Sequence, residues 1–182
     1  QSVADRQGIR GGRTNRVYRI TERRNNQVKD VIRKSARYVV EYCKQNDIGT
    51  IVVGYNPKFK QSVKLGKSNN QNFTQIPFGD FRLTLKNLCN RYDIDYVEQE
   101  ESYTSKSSFL DNDPLPEYKA EQPYKGTFSG KRVKRGLYKS SNGTLINADV
   151  NAAANILRKA NRIDSSKLCQ GLLASPQRIR LS

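Results

Sequence analysis

The run IGTIVVGYNP, residues 48–57, contains the β-branched residues of a short strand and reaches a glycine, Gly54, near its end. It is nearly all apolar, which is typical of a central strand buried on both faces. Helical hydrophobic spacing precedes this run over residues 25–46 and follows it over residues 78–92. A second strand, IDYVEQE at residues 94–100, comes directly after the second helix. This order of helix, strand, helix and strand predicts an α/β fold.

The C-terminal part is irregular except for one helix. Residues 106–142 contain prolines and the basic stretch FSGKRVKRGLYK, and they predict one or two short hairpin strands. The segment INADVNAAANILRKA, residues 146–160, predicts a helix because alanine and leucine favour it. Asn147 or Asp149 supplies its N-cap.

The charge of the chain points to a polyanionic partner. Lys and Arg number 33 against 17 Asp and Glu, which gives a formal net charge of +16. Nucleic acid fits this charge better than a membrane does, because the sequence has no long apolar run. A basic, ribosome-like structural protein is the competing interpretation. The chain has no histidine, which excludes Ser-His-Asp and Cys-His catalysis and zinc sites that need imidazole.

The three cysteines are too scattered for a Cys-x-x-Cys pair, and an odd number does not suit a disulfide framework. Reduced cysteines in a cytoplasmic protein are therefore expected, since the N-terminal sequence also lacks the apolar segment of a secretory signal. Cys43 and Cys89 fall on predicted helices and are expected to be small core residues.

Three glutamates, Glu98, Glu100 and Glu101, crowd the end of the second predicted strand. Like charges at such density are unfavourable unless a cation lies beside them. Together with Asp149 they suggest an acidic cluster at one edge of an α/β sheet, where oxygen ligands suit Mg²⁺ or Mn²⁺. Such a site could support phosphodiester hydrolysis. Each acid also has a simpler interpretation: Glu98 as a solvated strand residue and Asp149 as a helix cap.

Three motifs carry a resemblance to a known family. YTSK at residues 103–106, RGLYKSSNG at 135–143 and NADVNAAANIL at 147–157 closely resemble, in this order and spacing, the C-terminal half of the OrfB/TnpB family. Members are transposon-encoded, RNA-guided DNA nucleases with a RuvC-type fold, related to type V CRISPR effectors. The resemblance extends from about Arg23 to Lys159. It implies a partial RNase H-like (RuvC) fold, DNA and guide RNA as partners, and a divalent metal in the complete enzyme.

The family site has three acids, and the resemblance implies that Asp149 is the third. The second acid of the usual family pattern is replaced here by Gly54. In some branches, including the eukaryotic Fanzor relatives, a Glu that is separated from the Thr-Ser pair by two residues substitutes for it, which selects Glu101, with Glu100 in reserve on the opposite strand face. Glu101 and Asp149 are thus the implied metal ligands. Gly54 would leave room for the relocated carboxylate, although a structural glycine at a strand end explains it equally well.

The sequence differs from the family pattern first at the zinc ribbon. It needs four cysteines, and the matching positions here are Ser108, Asp111, Lys139 and Asn142. These groups cannot replace thiolates in a structural zinc site, so we expect no zinc and a degenerate, metal-free ribbon insertion held by ordinary packing. Phosphate contacts, or alternatively a solvated basic turn, are expected for its basic run, Lys131, Arg132, Lys134 and Arg135.

The sequence also differs from the family pattern at the first acid of the site. It lies in an Asp-x-Gly context on an apolar strand, whereas Asp5 lies in a polar stretch. The expectation is a truncated TnpB-like nuclease that is inactive alone, with another polypeptide supplying the first strand as one alternative. The other is a non-catalytic, nucleic-acid-binding transposon remnant or regulator. The predicted organisation is a polar connector (1–22), RuvC-like core (23–105), ribbon insertion (106–142), final core helix (143–160) and tail (161–182).

Overall fold

The computed structural model describes residues 14–56, 77–119, 121–161 and 179–180. Its elements are α1 (Asn15–Gln45), β1 (Thr50–Tyr55), α2 (Phe78–Arg91), β2 (Asp95–Glu100), β3 (Lys131–Lys134), β4 (Leu137–Lys139), β5 (Leu145–Asn147) and α3 (Ala148–Lys159). The described residues form the mixed α/β structure that the sequence predicted. They divide into two compact units, the first with α1 and α2 and the second with all five strands and α3. No helix among them is long and apolar enough to cross a membrane.

The first unit is a pair of packed helices. Its α1 begins at Asn15 rather than at residue 25, because the Thr14 hydroxyl caps it by accepting a hydrogen bond from Val17 N at 3.4 Å. The predicted connector is therefore helical from Asn15 onward, while residues 1–13 and nearly all of the predicted tail, with Cys169, lie outside the described residues. α2 spans the predicted residues.

Cys43 and Cys89 are buried core residues of this first unit, as expected. Burial raises the pKa of both thiols, and the nearby Cys43 adds to the effect at Cys89. Both side chains therefore act as small, protonated packing groups rather than as reactive thiolates.

β1 and β2 of the second unit pair in parallel, with Thr50 opposite Asp95 and Gly54 opposite Gln99. The prediction that β1 is buried on both faces is wrong, since all its residues are only half-buried. The reason is that, among the described residues, this sheet contains only these two strands, so β1 has a neighbour on one side alone.

The other sheet of this unit is antiparallel, in the order β3-β4-β5. It has one strand more than the sequence suggested, and β5 runs directly into α3. Tyr138 and Ile146 from this sheet pack with Phe109 and with Ala148 and Ala154 of α3 to form the buried core. Because α3 contacts both sheets, it connects the parallel sheet, where β2 ends next to Glu101, with the antiparallel sheet that precedes Asp149.

Hydrogen bonds join the turns at the positions matched to the family's zinc cysteines. The Asp111 carboxylate accepts bonds from Ser141 Oγ at 2.5 Å and Ser141 N at 2.9 Å. Burial would raise the pKa of Asp111, but hydrogen bonds from Ser108 and Ser141 hold it below its ordinary value. Asp113 accepts bonds from Ser108 N at 2.8 Å and from Ser129 N at 3.0 Å. Packing alone therefore does not hold this insertion, because two carboxylates tie its turns together.

Two buried asparagines of α3 fasten the segment that follows β2. Asn151 accepts a hydrogen bond from Phe109 N and donates one to Ser107 O, both at 2.9 Å. Asn155 donates to Thr104 O at 2.9 Å and to Ser107 O at 2.8 Å. Both asparagines are fully buried, where such bonds replace the lost hydration of backbone groups. The path of the chain after β2 is thus set by α3.

We expect Asn151→Ala to destabilise the protein by about 2–3 kcal/mol, because Phe109 N would be left buried without an acceptor. Asn90→Ala, an exposed change within α2, is the control and should lie within about 0.5 kcal/mol of the parent protein. Urea unfolding followed by circular dichroism measures both. Equal stability of the two variants would contradict the role given to Asn151.

Candidate metal and nucleic-acid site

Glu101 directly follows β2, and its backbone is held on both sides. Glu101 N donates to Tyr55 O at 3.3 Å, which continues the pairing of β2 with β1 by one residue. The Thr104 hydroxyl donates to Glu101 O at 2.8 Å, and Thr104 O accepts from Asn155. The Tyr-Thr-Ser motif therefore forms a turn that places Glu101 at the end of the parallel sheet and connects it to α3.

The Glu101 carboxylate lies in the space that a side chain at Gly54 would fill. A Cβ added at Gly54 would be 2.6 Å from Glu101 Oε2 and 2.7 Å from Ile156 Cδ1 on α3. Both distances are below any ordinary contact, so a larger residue at this position would require the ends of the Glu101 and Ile156 side chains to shift. Gly54 thus provides room for a carboxylate that comes from the neighbouring strand.

The electrostatic environment of Glu101 opposes its charge. Burial raises the pKa of this half-buried carboxyl, and the charge of Glu100 raises it further. Within the described part of the chain, no hydrogen-bond donor or cationic side chain pairs with it. A hard divalent cation would offset this unfavourable environment, and carboxylate oxygens are its preferred ligands.

Glu100, on the other strand face, is already paired. Lys159 Nζ lies 2.5 Å from Glu100 Oε2, and Ser102 N donates to the other carboxylate oxygen at 2.6 Å. Burial would raise the pKa of Glu100, but the hydrogen bonds from Lys159 and Ser102 hold it below its ordinary value. The Lys159 side chain is only 8% exposed and also donates to Ser102 O and Pro116 O at 3.3 Å. Glu100 thus ties β2 to the end of α3.

Glu98 is exposed on β2 and accepts a hydrogen bond from the Tyr96 hydroxyl at 2.9 Å. This position matches a solvated strand residue. Of the three crowded glutamates, Glu98 faces solvent, Glu100 has a lysine partner, and Glu101 occupies the space beside Gly54.

Asp149 lies in the first turn of α3, and its side chain is not the cap. Asn147 Oδ1 accepts the bonds from Asp149 N at 2.9 Å and from Val150 N at 3.1 Å, so Asn147 is the N-cap. The Asp149 side chain is 86% exposed and lies 3.5 Å from Arg132 Nη2 on β3. Its charge is favoured by the helix N-terminus, and its carboxylate remains accessible to a ligand.

Asp149 and Glu101 lie along the same side of α3 but at different levels. Asp149 precedes Ile156, the residue beside Glu101, by two helical turns, which is about 10 Å along the axis. No group of three or more His, Cys, Asp or Glu side chains that could hold a metal ion occurs among the described residues. Among the described residues, Glu101 and Asp149 are therefore two separated carboxylates and do not form a closed metal cage.

The predicted basic residues form an exposed strand and turn. Lys131, Arg132 and Lys134 lie on β3, whose residues are all exposed, and Arg135 begins the turn into β4. Lys139, on β4, lies opposite Lys131 in the register. Because Arg132 also reaches Asp149, this strand brings cationic groups next to one of the candidate acids, where a phosphate backbone could be bound.

Asn151, Asn155 and Lys159 support this site and were not singled out from the sequence. The four-residue spacing of Asn147, Asn151 and Asn155 on one helix face was the available signal, since asparagine is an uncommon buried residue. No local pattern marks Lys159, whose partner Glu100 is distant along the chain.

Comparisons with known proteins match consecutive parts of the chain. A family model described as "Probable transposase" (OrfB_IS605) matches residues 1–60, and the "Cas12f1-like, TNB domain" model matches residues 78–156. One similar solved structure is the "Cryo-EM structure of the Cas12f1-sgRNA-target DNA complex", with a TM-score of 0.56 and 19% identity over 78% of this chain. The chain spans 36% of the length of that protein. No curated protein matches significantly.

Together, the matches define a transposase-related protein with a Cas12f1-like fold. The chain belongs to the OrfB/TnpB family, as its motifs indicated.

We expect Gly54→Ala to destabilise the protein by about 1–3 kcal/mol, because the added methyl group would overlap Glu101 Oε2 and Ile156 Cδ1. Gly49→Ala is the matched control, since a Cβ there meets nothing within 4 Å. Part of the loss should disappear when Glu101→Ala is combined with Gly54→Ala, a coupling that a double-mutant cycle of unfolding free energies measures. Additive effects would show that the two residues do not share this space.

A second expectation concerns pH. Since the folded pKa of Glu101 is raised, its charged form opposes folding, and this loss of stability develops as pH rises above about 4.3, the ordinary value for Glu. Glu101→Gln should therefore be more stable than the parent at pH 7, and the difference should vanish near pH 4. Thermal unfolding across this range measures the effect, with Glu98→Gln as an exposed control on the same strand. A constant difference at all pH values would contradict it.

Proposed function

We propose that this chain forms part of a RuvC-type endonuclease site in a transposon-encoded, RNA-guided protein that hydrolyses DNA with a divalent metal. The observation that carries the proposal is the Glu101 carboxylate in the space beside Gly54. A family acid lost from β1 is thereby matched by an acid from the adjacent strand. Family membership and the fold shared with Cas12f1 support the same conclusion.

Glu101 and Asp149 are the residues that would hold Mg²⁺ or Mn²⁺. When bound, the cation supplies charge stabilisation for the phosphodiester and lowers the pKa of a bound water. Lys159 neutralises Glu100, whereas Glu101 has no cationic partner among the described residues. Because Glu101 and Asp149 lie at different levels of α3, a third acid between them would complete the site.

The basic strand would bind the nucleic-acid backbone. Its residues Lys131, Arg132, Lys134 and Arg135 are exposed, and exposed lysine and arginine contact phosphates without reading sequence. The solved Cas12f1 complex contains a single guide RNA and target DNA, and we propose DNA and guide RNA as partners here as well. The insertion would work without zinc, since Asp111 and Asp113 replace the metal as its link.

A non-catalytic nucleic-acid-binding protein is the second candidate. The 3.5 Å contact between Asp149 and Arg132 favours it, together with the separation of Asp149 from Glu101 along α3. In this case the acids would balance the charge of the basic strand. Binding of DNA would then be unchanged when Glu101 and Asp149 are replaced by their amides.

The first test is binding to labelled duplex DNA as a function of salt. We expect Lys131→Ala with Lys134→Ala to reduce the slope of log affinity against log salt by about 1.8, since each phosphate contact contributes about 0.9. Lys29→Ala with Lys86→Ala, two exposed positions on α1 and α2, is the control of equal charge. An equal reduction of the salt slope in both double variants would contradict the assignment of β3 as the strand that binds phosphates.

The catalytic assignment is tested with Mn²⁺ and a polypeptide that carries the first family strand, because this sequence offers matches for two of the three family acids. We expect DNA cleavage only in the mixture and its loss, by a factor of at least about 100, in Glu101→Gln. Retained DNA binding by that variant is the control. Cleavage that persists in both Glu101→Gln and Asp149→Asn would overturn the proposed site.

A further inference from the structure

Three aromatic rings cluster beside the Tyr-Thr-Ser motif. The ring of Tyr124 lies 5.8 Å from that of Tyr103, edge to face, and 5.5 Å from that of Phe128. Lys106 Nζ lies 5.9 Å from the centre of the Tyr103 ring. Such contacts add to the packing energy of the rings and fix their orientation.

The segment that carries these rings is anchored. Tyr124 N donates to the Tyr103 hydroxyl at 3.2 Å, and Ser129 N donates to the buried Asp113 at 3.0 Å. The backbone of Tyr103 has a positive φ of 63°, an unfavourable conformation for a bulky residue that the surrounding contacts maintain. Tyr124 is therefore held in place before any ligand arrives, which lowers the entropy cost of binding.

An open cleft of 580 Å³ lies against Tyr124. It is lined by Pro116, Glu117, Lys119, Gln122, Pro123, Tyr124 and Lys125. This volume lies in the range of small-ligand sites and suits one nucleotide. Neither Lys119 nor Lys125 has an ion-pair partner in the described part of the chain, so both ammonium groups are available to a phosphate.

We propose that this cleft binds a nucleotide of single-stranded nucleic acid, with the base against Tyr124 and the flanking phosphates at Lys119 and Lys125. Stacking on an aromatic ring beside a cationic groove is how proteins bind single strands without sequence preference. Gln122 and Glu117 line the same cleft and offer hydrogen bonds to a base edge. The inference rests on the proposed function and adds a strand-holding site on a surface other than β3.

The test uses a labelled single-stranded DNA of about 12 nucleotides, the RNA of the same sequence and the matching duplex DNA. We expect Tyr124→Leu to weaken single-strand binding about tenfold, because base stacking is lost, and to leave duplex binding within about twofold. Tyr124→Phe keeps the ring and should bind like the parent. Ultraviolet cross-linking followed by mass spectrometry should place the cross-link on Tyr124.

A second pair of substitutions, at the two lysines of the cleft, tests the proposal if Tyr124→Leu is poorly folded. Lys119→Ala with Lys125→Ala should reduce the salt slope for the single strand by about 1.4, at about 0.7 per phosphate contact, and more than the control Lys29→Ala with Lys86→Ala. Equal reductions of the salt slope in these two double variants would overturn the proposal that the cleft binds a single strand. Strong binding of a free mononucleotide, with no preference for a strand, would overturn it as well. If the parent protein bound neither single strands nor duplex, the proposed function itself would fail.

Discussion

The hydrogen bonds from Asn151 and Asn155 to the backbone of residues 104–109 are the contacts on which the second unit depends. They act together with Phe109, which packs against Ala148 and Ala154 of α3, to hold the chain leaving β2 along this helix. Each bond joins residues more than 40 positions apart. Because the bonds are buried, loss of one partner leaves a polar group without hydration, which is a much larger penalty than the bond's net contribution.

These amides also set the positions of the acids. Thr104, which Asn155 holds, bonds the carbonyl of Glu101, and the same helix begins with Asp149 and ends with Lys159 on Glu100. α3 therefore acts as a spacer between the candidate ligands, and its length fixes the level at which each acid lies. Glycine at position 54 lets the ends of the Ile156 and Glu101 side chains lie close to that point of β1.

The sequence predicted the features that follow from local pattern or from a motif. Both helices of the first unit, the parallel-strand segments, α3 and the closeness of Glu101 to Gly54 were of this kind. The early start of α1 was missed because its first turns are polar and Arg-rich, so that the Thr14 cap, rather than hydrophobic spacing, marks the beginning. The incomplete burial of β1 depends on which strands pair with it, and composition does not report that. The Lys159–Glu100 pair and the Asp111–Ser141 bonds join distant segments and leave no periodic signal.

The cationic partners of Glu100 and Asp149 distinguish these two acids from Glu101. Among the described residues, Glu100 is paired with Lys159 and Asp149 with Arg132, whereas Glu101 has no cationic partner and its pKa is raised. The exposed Asp149–Arg132 pair is weak, as ion pairs in water are, so a phosphate could draw Arg132 away at little cost. Binding of a phosphate backbone along β3 would then leave the Asp149 carboxylate, at the N-terminal end of α3, without its arginine partner.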